Sequence, residues 1–157
     1  MKHDPILKEN VLLQDSQTFQ PWIKAGFRIG DKGTHTSRTI MFKEVDLLFE
    51  DQERDAPREA YLSAIIDQNC LGKQTVSTRK LTCQRLSELY GLDPSIPLFR
   101  ILRYLWQVDE SGRPLLALLT ALARDPLLRV TLPTILQMNT GEELMRQKLT
   151  DALHQSV

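Results

Sequence analysis

NCLGKQTVSTRKLTCQRLSELYGLDPSIPLFRILRYLW, residues 69 to 106, decides the fold. Thr75, Ser77 and Thr78 can each accept a hydrogen bond from the free N–H groups of a first helical turn, and Gly91 supplies the positive φ that ends a helix. The spacing predicts a helix from about Val76 to Tyr90. At 100° per residue, Leu81, Cys83, Leu86, Leu89 and Tyr90 share one broad arc, while Lys80, Gln84, Ser87 and Glu88 lie opposite. After Asp93, Pro94, Ser95 and Pro97 comes a second helix, apolar from Leu98 to Trp106 except at Arg100 and Arg103, which reads as a core helix. Its two arginines are expected to sit at a buried edge and pair with carboxylates.

Upstream, Met41, Val45, Leu48 and Phe49 recur at helical spacing within a predicted helix from about Ser37 to Glu50, with Thr36 or Ser37 as its cap. A helix from about Pro57 to Gln68 follows, with Pro in its first turn and Tyr61, Leu62, Ile65 and Ile66 as its buried side. Downstream, LLALLTALA, up to Arg124, is apolar on nearly every side, as expected of a helix enclosed by others. Pro133 is expected to split residues 127 to 138 into two short helices. Thr140 and Glu143 fit a capping box that opens a last helix. With no strand pattern and no repeat period, the expectation is an all-α, compact, single-domain bundle of about seven helices over residues 36 to 157. Residues 1 to 35 read as an arm or ordered loop that Trp22, Phe27 and Ile29 tack onto the body.

Twenty bases and twenty acids cancel, so the whole-chain charge points to no polyanion partner. Position says more than the total. Residues 44 to 68 carry eight acids against Arg54 and Arg58, whereas residues 22 to 43 carry five bases against Asp31, and residues 69 to 130 nine bases against five acids. Two basic segments flank an acidic one. Cys70 and Cys83 have no metal-ligand spacing, and His3, His35 and His154 are scattered, so neither metal nor cofactor is expected and a reduced, cytoplasmic chain is the simplest reading. No apolar run approaches the roughly 20 residues of a membrane span.

No nucleophile with its base, paired carboxylates or ligand cluster can be assembled, so the chain is expected not to be an enzyme. The hydroxyls cluster at helix starts, where capping explains them. GDKGTHTSR, residues 30 to 38, has the glycines and hydroxyls of a phosphate-cradling loop but not the order of a P-loop, and reads as a capped turn. Lys73, Arg79, Lys80 and Arg85 are the stronger set. They lie at or near a helix start whose Thr75 and Thr78 can also donate to phosphate oxygens, which suits a nucleic-acid backbone. Lys32 and Arg38 form a second candidate contact region. The competing reading pairs these bases with the acidic helices.

The segment NCLGKQTVSTRKLTCQRLSELYGLDP resembles the central segment of the BrxA family of BREX bacteriophage-exclusion systems. An Asn-x-Leu turn leads there into a Ser/Thr- and Arg-rich helix start and an Arg-Leu-x-x-Leu stretch, here Arg85, Leu86 and Leu89. FRILRYLW and LLALLTALARD stand where that family has its apolar helices, and the resemblance spans roughly residues 26 to 138. It implies a NusB-like helical fold, binding of double-stranded DNA, and a place in phage defence beside other defence-system proteins; contact through the basic helix starts to the phosphate backbone would make that binding mostly sequence-independent. The alternative is a helical adaptor that binds a partner protein or forms a homodimer. Apolar side chains left exposed by the helix from Leu98 to Trp106 would favour the adaptor; a contiguous basic face would favour DNA.

Overall fold

A computed structural model describes residues 18–30 and 40–155 of the chain. Among them are eight helices and no strand: α1 (residues 18–25), α2 (Phe42–Asp51), α3 (Arg58–Ile66), α4 (Val76–Tyr90), α5 (Pro97–Val108), α6 (Arg113–Arg124), α7 (Pro126–Leu136) and α8 (Arg146–Gln155). The fold is all-α, as the periodicity implies.

Local capping chemistry sets α4. The Thr75 hydroxyl accepts from the Thr78 N–H, and Gly91 closes the helix at φ 95°. Cys83, Leu86, Leu89 and Tyr90 are buried as expected, whereas Leu81 is exposed and Thr82 takes the inner position. Met41, Val45, Leu48 and Phe49 also face inward, but α2 starts only at Phe42, after Met41 in a left-handed conformation. The expected caps Thr36 and Ser37 lie outside the described residues. An aromatic core joins α2, α3 and α5: Phe49 packs edge-on against Tyr61, Phe99 and Trp106 at centroid distances of 6.4, 5.9 and 5.1 Å. From there α6 packs against α4, α5 and α7, and α8 against α7.

Three expectations give way to the structure. Residues 18–25 are helical, with Pro21 early in the helix; of the three expected anchors only Phe27 packs against α5 and α6, while Trp22 and Ile29 stay exposed. The segment is held further by the Arg28 N–H, which donates to the Ala123 carbonyl at 3.1 Å, and by Arg124 and Arg129, which donate to the Gly26 and Arg28 carbonyls. Helix α7 runs through Pro133 without splitting, since a proline removes one intrahelical bond and the flanking helices α6 and α8 hold the rest in line. The last helix starts at Arg146 rather than at the Thr140–Glu143 box, because Glu142 instead accepts from the Asn139 N–H and pairs with Lys148.

Arginines close the helix ends. The last carbonyls of a helix have no internal partners, and in α2 to α6 a guanidinium from further along the chain supplies one. Arg103 donates to Phe49 and Gln52 at the end of α2, and Arg79 to Ile66 at the end of α3. Arg124 donates to Ser87 and Glu88 in the last turn of α4, Arg113 to Trp106 in α5, and Arg129 to Leu122 and Ala123 in α6. Each bond places positive charge at the negative end of a helix dipole. Arg103 and Arg100 therefore bind carbonyls rather than the carboxylates expected of them, Arg100 taking Pro94 and Ser95.

Candidate protein-binding groove

Helices α5 and α6 each carry two apolar stripes, and only one of each is used by the core. On α5, Phe99, Leu102, Arg103 and Trp106 point inward at the spacing of one helical face. Ile101, Leu105 and Val108 form the opposite stripe, with Ile101 56% and Val108 65% exposed. On α6 the inner face is built from Ala117, Thr120, Ala121 and Arg124. Small side chains there let α4 and α5 approach closely, and the leucines are left to the outside: Leu115 is 59% and Leu119 53% exposed. An enclosed α6 was the expectation; the structure exposes it because alanine, the smaller apolar residue, wins the crowded side.

Ile101 and Leu105 of the α5 stripe meet Leu119 and Leu122 of α6 in a groove of about 460 Å³ that Phe27 and Leu132 of α7 also line. Its lining is aliphatic apart from Phe27, Thr120 and Arg129. Thr120 gives its hydroxyl proton to the Leu116 carbonyl, and Arg129 spends its guanidinium on the carbonyls of Leu122, Ala123 and Arg28, its charge disfavoured by burial. The groove thus offers contact area and almost no free hydrogen-bonding group.

The residues expected to hold nucleic acid are dispersed by the fold. Lys73 makes an ion pair with Glu44 at 3.0 Å, both half-buried. Arg79 donates to Lys73 and Ile66 carbonyls, because the first turn of α4 abuts the open end of α3. Thr75 and Thr78 are bonded to each other through hydroxyl and backbone. Lys80 is exposed, and Arg85 is half-buried, with no ion pair to either among the described residues. Lys32, Arg38 and the GDKGTHTSR segment from residue 31 onward lie outside those residues. Lys80 instead shares a second groove with Arg28, Arg58 and Arg124, none of them singled out by the sequence.

Neither cysteine is poised for chemistry. Cys83 is buried and Cys70 half-buried, and burial raises both thiols, Cys70 to about 11. Among the described residues no helix is long and apolar enough to cross a membrane. A scan against protein-family models, a search of curated proteins and a search of solved structures each returned no match.

Proposed function

We propose that this chain is a non-enzymatic helical adaptor that receives an amphipathic helix of a partner protein in the α5–α6–α7 groove. The observation that carries it is the groove wall formed by Ile101 and Leu105 beside Leu119 and Leu122, on helix stripes that continue outside the groove to the exposed Val108 and Leu115. Contiguous exposed apolar surface of this kind marks an interaction site. Each stripe spans about 10 Å at 1.5 Å per residue, enough for about two turns of a docked helix. A helix is the fitting occupant because its backbone groups are satisfied internally, whereas a strand or loop would bury unpaired N–H and C=O groups against aliphatic walls.

The test is a photo-crosslinking amino acid placed at Leu119, in cells of the organism that makes the protein. The adaptor reading expects one discrete protein adduct that is missing when the crosslinker sits at Lys43 on the far helix α2. An adduct with a second copy of this chain would make the groove a homodimer interface, and no adduct would remove the reading.

A second reading, a duplex-binding component of a BREX-type defence system, is favoured by Lys80 and Arg85, which the ion-pair pattern leaves uncommitted. With about two phosphates neutralised, log K for duplex DNA would fall with log salt at a slope of roughly −2, and a Lys80→Ala, Arg85→Ala variant would abolish binding. Absence of a gel shift at low salt refutes it.

A further inference from the structure

The second groove, between α3 and α4, holds about 600 Å³ and collects four cationic heads, Arg28, Arg58, Lys80 and Arg124, against the carboxylates of Glu88 and Asp93. Glu88 accepts from Gln84, and Asp93 accepts from the Ser95 N–H at the start of its own turn and is held low by hydrogen bonding from Ser95 and, to a lesser degree, by the charge of Arg58. Arg124 forms the floor and is immobile, its guanidinium tied to Gly26 at 2.7 Å, Glu88 at 2.8 Å and Ser87 at 3.2 Å. All three are carbonyls, so its charge meets dipoles and no counter-ion. Beside it, the terminal Nη1 of Arg28 is inaccessible to solvent and has no hydrogen-bond partner, although the Arg28 backbone is held at both its N–H and its carbonyl. Burial and the neighbouring Arg28 charge lower the Arg124 guanidinium to about 10.

A buried, unbonded donor beside a like charge is an unfavourable arrangement that an anion would relieve at both ends. We propose that this groove binds the phosphate group of a small organic phosphate, with Arg28 and Arg124 on its oxygens and Lys80 and Arg58 closing over it from α4 and α3. The cleft is far larger than one oxyanion, and Leu62, Ile66 and Ile96 give its wall an apolar surface for the attached group. The site is separate from the aliphatic groove and does not rest on the adaptor reading.

Thermal unfolding of the full chain tests this, with inorganic phosphate or phenyl phosphate added at constant ionic strength. Both should raise Tm saturably, by roughly 5 to 10 °C at a hundredfold excess over Kd, and phenyl phosphate should bind more tightly. Arg28→Gln should keep or raise the Tm in chloride, since the buried Nη1 it removes has no partner and the lost charge repels Arg124, and should lose the response to both ligands. Lys80→Gln, at an exposed position, should fold as the parent does and weaken binding about tenfold, in line with one lost charge-assisted bond. The proposal is overturned by an equal rise in Arg28→Gln, which would be a general salt effect, or by a fall of its Tm in chloride. It is also overturned by the absence of any saturable rise, or by a rise with duplex DNA alone.

Discussion

Replacing Arg124 with methionine should show how much of the fold hangs on arginines at helix ends. The guanidinium reaches Ser87, Glu88 and Gly26 together, linking the end of α4 to the segment after α1. Ser87 keeps one partner when the arginine is lost, because its carbonyl also accepts from the Gly91 N–H. Glu88 and Gly26 are then left bare, and each unsatisfied buried carbonyl costs about 1 to 3 kcal/mol. Set against this, the variant no longer buries a charge without a counter-ion, and methionine fills much of the space. The net loss should be about 2 to 4 kcal/mol, which for a chain of this size lowers Tm by about 6 to 12 °C. Urea unfolding followed by far-ultraviolet circular dichroism measures it, and amide exchange should report earlier opening around Phe27 and Arg28 than in α2. A loss below about 1 kcal/mol, or a gain, would show that desolvation of the charge outweighs the three bonds and would refute the reasoning.

Gly91→Val should destabilise by roughly 1 to 2 kcal/mol, since position 91 has φ 95° and a Cβ there would press on Ile96 Cδ1 at 3.2 Å; an unchanged urea midpoint would contradict it. Cys70, raised from its ordinary value near 9.0 to about 11, holds its proton more tightly folded than unfolded. Its contribution to stability is therefore complete below pH 9 and disappears as pH rises toward 11. The wild-type chain should lose more stability over that interval than Cys70→Ser, and Cys70 should alkylate slowly at pH 8 until denaturant is added; parallel pH profiles would refute this.

What could be read from the sequence is what local chemistry decides. Thr75 and Gly91 act on their own helix ends, so the bounds of α4 follow from neighbouring residues alone. The inward set Met41, Val45, Leu48 and Phe49 follows from spacing against polar neighbours on the other side of α2. Helix α6 had no such contrast. With leucine and alanine all round, nothing in the periodicity says that the alanines face α4, and the choice is made by crowding between helices. The arginines were illegible for a different reason: Arg103 reaches across 54 positions to Phe49 and Arg124 across 98 to Gly26. A carbonyl acceptor leaves no mark on composition, because every residue has one. What the sequence does show of the groove is a second apolar stripe on α5 at i, i+4 and i+7, Ile101, Leu105 and Val108, beyond the one the core uses; the α6 side of the groove has no such mark.

The most direct measurement is a calorimetric titration of the protein captured at Leu119 against the wild-type chain and an Ile101→Glu, Leu119→Glu variant. Each of the two side chains should contribute about 1.5 to 3 kcal/mol when covered, so the variant should bind at least about a hundredfold more weakly while keeping its helix content and Tm. Equal affinity in the two chains would contradict the account, because the partner would then be held by some other face of the bundle.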